Sequence, residues 1–395
     1  MSSIRPDPNL LKKYPNAITL QQIEEKDRFA GTLLGAAAGE SLGAPHEGKS
    51  AAAVGTPREI TGGGGWHRGE PTDDVDLMLA LLRSLVARRR FDQADVARRY
   101  LEWFEKGPKD VGNLTRSALE NLRAGDAPEQ ASALVWEDSG RRAAGNGSVM
   151  CCAPIGLLHA RRLEGLPEDA AGASRITHCD PRCVGGCVAV ATAVALLVRG
   201  GSDAGEAIAR AAEAGGAFSD DVRVSIERGV ARRPEEIAVD GADRGYVLRT
   251  VEIAFSALGT TANFEDGLVA VVSRGGDTDT NGAVAGALLG ARFGRRAIPQ
   301  RWLDALGPLP SSPRSRSSST RSSEPAPSAG AVGVESLTGE AQVHSHEGEH
   351  HRGEGENGDG GGTARRARAG TPPFDGARCD RIVAAVLERL QFATP

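Results

Sequence analysis

Asp277, Asp279 and Asn281, followed by Gly282, have the D-x-D-x-[DN]-G spacing that opens an EF-hand calcium loop. Such a loop also needs a bidentate Glu at its twelfth position, and that position is Leu288. The residues after Gly282 are apolar with helical spacing where they should still be coordinating. Any cation held by these carboxylates must therefore find its other ligands elsewhere in the chain.

The stretch PTDDVDLMLALLRSL supplies them, with Thr72, Asp73 and Asp74 at the start of a strongly apolar helix. Thr and Asp are favoured helix caps, and first-turn Asp suits the helix dipole, so capping alone is one reading of both clusters. A cap needs only one such residue, however, whereas each helix start here carries several oxygen side chains. Grouped carboxylates repel one another unless a cation joins them. Hard oxygen ligands suit Mg²⁺, Mn²⁺ or Ca²⁺ and not Zn²⁺. Four carboxylates and two hydroxyls have the capacity for two ions, which stand about 3.5–4 Å apart in two-metal enzymes.

TDD opening a helix, a GNGS box at Gly145–Ser148 and the terminal GGDTDTNGAVAGALLGA together resemble the ADP-ribosylglycohydrolase family. That family includes the enzymes that strip ADP-ribose from dinitrogenase reductase and the ADP-ribosyl-acceptor hydrolases. The likeness runs from Arg28 to Leu306, and its most specific part is Gly276 to Ala291. It implies an all-α fold, a compact multi-helix orthogonal bundle with a binuclear Mg²⁺ or Mn²⁺ site in a central cleft. The ligands it implies are Thr72, Asp73, Asp74, Asp277, Asp279 and Thr280.

The resemblance also implies roles for residues that would otherwise read as ordinary. Glu47, in GESLGAPHEG, matches an acidic residue that acts at the scissile bond in some members; by itself it is a solvated loop carboxylate. Gly145, Asn146, Gly147 and Ser148 would cradle a diphosphate and ribose from a helix N-terminus; Met150 and His178 would lie against the substrate. Three positions depart from the family pattern. Glu40 stands where Asp is usual, Val75 replaces a Thr, and Cys151 stands where Arg is common. Asp76, after Val75, is an additional acid that would tune the metal shell. The run TGGGGWHRGEP lacks the G-x-x-x-x-G-K-[ST] pattern of a phosphate loop and reads as a flap beside the site carrying Trp66 and His67.

Helices must position these groups. Aromatics are 4% of the 395 residues and there are 51 Gly, a composition for close-packed helices rather than sheets. The pattern predicts helices over 74–90, 93–105, 113–122, 148–161, 181–198, 203–214 and 220–230, then 246–258, 264–273, 279–293 and 299–306. Gly31, Gly35, Gly39 and Gly43 form one helical stripe, and Gly282, Gly286, Gly290 and Gly294 another. Each interior Gly costs about 1 kcal/mol relative to Ala, so the stripes imply a backbone pressed against another helix or a ligand. Residues 1–22 read as an N-terminal extension and 23–308 as the helical domain. The low-complexity run 309–375, with His344, His346, His350 and His351, reads as a disordered insertion, and 376–395 as a C-terminal helix docking on the core.

A net charge of −5 gives no strong nucleic-acid signal. Cys183 to Val198 is short for a membrane span and reads as a buried core helix. No C-x-x-C pair or leader pattern is present, which favours reduced thiols and a cytoplasmic chain. Cys179, Cys183 and Cys187 share a helical face as small buried hydrophobes, with a soft-metal site as the alternative. The expected activity is metal-dependent hydrolysis at ribose C1″ of an ADP-ribosylated protein or ADP-ribose derivative, by a monomer, with Glu47 and Asp73 as catalytic carboxylates. The alternatives are a non-catalytic ADP-ribose-binding or crystallin-like structural protein of the same fold, and a metal-dependent phosphohydrolase.

Overall fold

A computed structural model describes residues 20–200 and 203–306. Of the extension expected over 1–22, residues 20–22 belong to the first helix and the rest lie outside the described residues, as do the run 309–375 with its four His and the segment 376–395. Within them the chain is helical, with no strand; only isolated bridges join Ser50 to Gly275, Gly63 to Trp66 and Gly145 to Tyr246.

The fold is organised by two helices far apart in sequence, α1 (Leu20–Gly43) and a late helix, Thr278–Phe293. The two glycine stripes face each other. A Cβ on Gly35 would lie 2.2 Å from the Gly286 carbonyl oxygen, and one on Gly290 would lie 1.9 Å from that of Gly31. Only hydrogen fits between the backbones, so the stripes serve helix–helix approach. At the end of α1, the Thr278 hydroxyl donates to the Gly43 carbonyl at 2.8 Å. This joins the exit of one helix, which leads to Glu47, to the first turn of the other, which carries Asp279.

Between them in sequence come α2 (Ala51–Val54), α3 (Asp73–Arg88), α4 (Gln93–Phe104), α5 (Asn113–Ala124), α6 (Pro128–Asp138), α7 (Ala153–Leu158) and α8 (Leu166–Ser174). Then follow α9 (Pro181–Arg199), α10 (Ala204–Gly216), α11 (Asp220–Val230), α12 (Val247–Thr260), α13 (Phe264–Val272), α14 (the Thr278–Phe293 helix) and α15 (Gln300–Ala305). α9 is long and apolar enough to cross a membrane, yet every residue from Cys183 to Val198 is buried among α7, α8, α10 and α14. Asp180 caps it by accepting from the Arg182 amide at 2.9 Å, and Gly200, at φ +76°, ends it. Cys183 and Cys187 are fully buried there, and the five described cysteines are free. α4 shows the amphipathic logic of the periphery: Val96, Ala97, Tyr100 and Phe104 face inward at helical spacing.

Three expectations change. The helix predicted over 148–161 shrinks to α7, because Ser148 to Cys151 form a turn; Pro154, which lacks an amide proton, sits at the tolerated first-turn position. α6 and α8 were absent from the pattern reading. Both carry Pro in the first turn, where it starts a helix but reads as loop punctuation.

Candidate active site

The α3 start resolves the capping question. Thr72 is the cap, accepting from the Asp74 amide at 3.4 Å. Its own amide and hydroxyl both donate to Glu40 Oε1 at 2.8 Å, which also takes the Val75 amide at 3.0 Å. Glu40 reaches across from α1 to close the helix end, which leaves Asp73 and Asp74 for other work. Asp73 lines a cavity of about 300 Å³ and accepts from the Gly112 amide at 3.2 Å. Asp74 lies behind it: one oxygen accepts from the Thr280 hydroxyl at 3.2 Å, and the other, Oδ2, is buried without a partner.

At α14, Asp277 occupies the cap position but makes no cap bond. Its Oδ2 accepts from Asn146 Nδ2 at 2.8 Å instead. Glu47, Asp277 and Asp279 each offer an oxygen within 4.8 Å of the other two. The loop carrying Glu47 is laced to its neighbours: the Gly48 amide donates to Gly276 and the Gly276 amide to Lys49, both at 2.8 Å, and the Ala51 amide donates to Asp240 at 2.9 Å.

Burial and mutual repulsion raise the proton affinity of this cluster. Asp73 is pushed up to about 7, first by burial and then by Asp110. Asp74 and Asp279 go well above the usual carboxylate range, through burial and then a neighbouring carboxylate, Asp279 for Asp74 and Asp277 for Asp279. Glu47, an exposed residue, is raised by the partial desolvation of its carboxyl beside the cluster, then by Asp277 and Asp110, with Arg244 opposing. A buried carboxylate oxygen without a donor is costly. Hard oxygen donors converging beside that orphaned oxygen fit a hard divalent cation.

The cavity wall opposite is the 145–147 turn. Gly145, Asn146, Gly147, Met150 and His178 line it together with Glu47, Asp73, Asp277, Asp279 and Thr280. Ser148 does not: its hydroxyl is buried against Ser174 at 3.0 Å and Cys187 at 3.4 Å. Thr72 and Asp74 also stand behind the wall. A Cβ on Gly147 would come 2.9 Å from His178 Cε1, so glycine there lets the imidazole reach the cavity. Burial lowers His178 to about 4, leaving it neutral near pH 7, with Nδ1 2.9 Å from the Thr177 hydroxyl. Because 148–151 is a turn, the box is no helix N-terminus. Asn146 has its amide protons committed to Asp277 and, at 3.0 Å, to Thr250.

Trp66 and His67 are absent from the cavity lining. Their loop is pinned by the Gly63–Trp66 bridge and by Lys109, whose ammonium sits 4.2 Å over the Trp66 ring and bonds Glu70. Asp76, an acid of the same helix start, accepts from Trp103 Nε1 at 2.9 Å and is not among the lining residues. Cys151, where an Arg was expected, packs on the Tyr100 hydroxyl at 3.5 Å. Pattern reading missed Asp110, which lines the cavity and raises both Asp73 and Glu47. A lone Asp in a Gly- and Pro-containing loop before α5 carries no signal that separates it from a solvated one.

Residues 21–320 match the family model described as ADP-ribosylglycohydrolase. The chain belongs to that family. Membership makes it a hydrolase of ADP-ribose glycosyl linkages. It is 31% identical over 289 residues to the ADP-ribosyl-[dinitrogen reductase] glycohydrolase of Rhodospirillum rubrum, covering 71% of this chain and 90% of that one. It is 29% identical to the ADP-ribosylarginine hydrolase Tri1 of Pseudomonas putida, covering 73% and 77%. A solved structure titled ADP-ribosylglycohydrolase-related protein complex superposes with a TM-score of 0.61 at 34% identity, covering 72% of this chain and 93% of that one. The ADP-ribosylglycohydrolase fold is thus this chain's fold.

Proposed function

We propose that the chain is a divalent-metal-dependent hydrolase that releases ADP-ribose from a modified acceptor, a protein side chain or small molecule, by cleaving the bond at ribose C1″. The observation that carries this reading is the meeting of Glu47, Asp277 and Asp279 oxygens within 4.8 Å, beside the orphaned Asp74 oxygen and a cavity walled by Gly145–Gly147. Thr72, Asp73, Asp74, Asp277, Asp279 and Thr280 would hold Mg²⁺ or Mn²⁺, as two ions. When bound, the metal supplies Lewis-acid polarisation and a fixed seat for ribose hydroxyls.

The protein groups do the rest. Glu47, exposed at the end of its laced loop, gives or takes the proton at the scissile bond, with Asp73 as the other catalytic carboxylate. The surrounding carboxylates would stabilise the positive charge that develops at C1″. The 145–147 backbone, Met150 and neutral His178 seat the diphosphate and ribose. Ser148, whose hydroxyl faces the core and which does not line the cavity, would support the turn rather than touch the substrate. The acceptor is read at the Glu47 side of the cavity.

The 23–308 unit would act as a cytoplasmic monomer, with 309–375 dispensable for activity. Replacing 311–373 by a short linker should leave activity in place. A panel of ADP-ribosylated arginine, serine and O-acetyl substrates, assayed with Mg²⁺, Mn²⁺ and EDTA, tests the whole reading. Binding of ADP-ribose without turnover on any member would favour a non-catalytic binding protein instead.

A further inference from the structure

We propose that Thr250 is a positioning residue for the carboxylate centre: its hydroxyl locks the Asn146 amide onto Asp277 and so ties the cavity wall to the acid cluster. Thr250 lies on α12, 1% exposed. Its Oγ1 accepts from Asn146 Nδ2 at 3.0 Å and donates to Asn281 Oδ1 at 2.8 Å. A hydroxyl has one proton. With that proton given to Asn281, Thr250 shows Asn146 only lone pairs, and Asn146 must turn its NH₂ inward. The second NH₂ proton then falls on Asp277 Oδ2 at 2.8 Å. The flipped amide would set a carbonyl oxygen against the Asp277 carboxylate.

The bonds close a ring. Asp277 joins Asn146, Asn146 joins Thr250, Thr250 joins Asn281, and the Asn281 amide returns to the Asp277 carbonyl at 3.1 Å along α14. Two elements that carry the site, the 145–151 turn and α14, are thereby held in one register through α12. Helical threonines commonly spend their proton on the carbonyl four residues back. Thr32, Thr260 and Thr261 do so here, to Arg28, Ser256 and Ala257. Thr250 instead bonds across to two other elements, both of them in the site. Partners behind metal-ligating side chains typically change affinity 10–100-fold when removed.

This inference rests on the metal-dependent reading above, and the experiment separates the two. Full-length parent, Thr250→Val and Thr250→Ser are stripped with EDTA and titrated with Mn²⁺ by calorimetry, with unfolding midpoints in EDTA and kcat and KM on an ADP-ribosylated substrate alongside. The expected result is Mn²⁺ binding weakened about tenfold or more in Thr250→Val, restored to within about threefold in Thr250→Ser, with kcat falling more than KM rises. Parent-like Mn²⁺ binding by Thr250→Val overturns the proposal, as does a Thr250→Ser variant as weak as the Val variant. A parent that binds no Mn²⁺ removes the metal-dependent reading itself, and the proposal with it. Should Thr250→Val fail to fold in EDTA, Thr250→Ala removes the same hydroxyl without a second methyl. Loss of folding in both makes Thr250 a residue of the fold alone and overturns its positioning role.

Discussion

A Cβ atom on Gly39 would lie 1.9 Å from the Gly282 carbonyl oxygen. The obstacle is backbone, not a side chain that can swing away. Gly39→Ala must therefore push α1 from α14, and with them the loop bearing Glu47 from the turn bearing Asp277 and Asp279. The expected loss is more than about 3 kcal/mol of stability, beyond ordinary overpacking. Gly125→Ala is the control. Gly125 is left-handed at φ +111° with open space around it, so the cost is about 1–2 kcal/mol of backbone strain. Denaturant unfolding of both variants compares them, and equal losses would refute the close-approach argument.

His178 gives a pH signature that needs no substrate. Burial lowers it from 6.5 to about 4, against a weaker opposing pull from Asp180. As pH falls below 6.5 the unfolded chain takes up this proton, while the folded chain waits until about 4. The unfolded state then binds more protons, and stability drops across that window. The full contribution is roughly 3 kcal/mol for a buried imidazole. Measured between pH 7.5 and 4, the parent should lose that much stability relative to His178→Asn. Parallel curves would place His178 in contact with water.

The glycine stripes and the two acid clusters were legible because each is a local pattern whose cost or repulsion demands a partner. The stripe from Gly31 to Gly43 called for a close neighbour, another helix or a ligand, and Asp73, Asp74, Asp277 and Asp279 for a shared cation unless they were only caps. What stayed hidden depends on which way a side chain turns. Ser148 belongs to the GNGS motif but faces Ser174 and Cys187, and Asp76 belongs to the TDDVD run but accepts from Trp103. Asp110 and Thr250 reach the site across 30 residues or more, from segments with no motif of their own. Glu40 could be noticed as a departure from pattern, but only the fold reveals that one oxygen gathers three donors at the head of α3.

Glu47 separates binding from chemistry. It is the exposed member of its carboxylate trio and sits at the end of a loop held by backbone bonds to Gly276 and by Asp240. Glu47→Gln keeps the size and removes the exchangeable proton. Turnover should fall by about 10²-fold or more, while ADP-ribose affinity changes by only a few-fold. A large affinity loss at unchanged kcat would reassign Glu47 to substrate binding.

Cation removal tests whether the clusters act together. In EDTA, Asp73, Asp74, Asp277 and Asp279 face one another in a largely buried pocket, and the raised proton affinities of Asp73, Asp74 and Asp279 show the repulsion. Mg²⁺ or Mn²⁺ should raise the unfolding midpoint, and ADP-ribose in the presence of metal should raise it further. A ligand at 100 times its dissociation constant adds about 2.7 kcal/mol. At about 2–4 °C per kcal/mol, or slightly less for a domain of this size, that is a shift of several degrees. The Asp73→Asn, Asp277→Asn double variant removes two of the repelling charges. It should be at least as stable as the parent in EDTA, and nearly insensitive to both ligands. Because Asp277 makes no cap bond and α3 is closed by Thr72 and Glu40, the helices themselves should not notice the change. Equal ligand shifts in parent and double variant would mean that the carboxylates hold no cation, and the metal-dependent mechanism would fall with them.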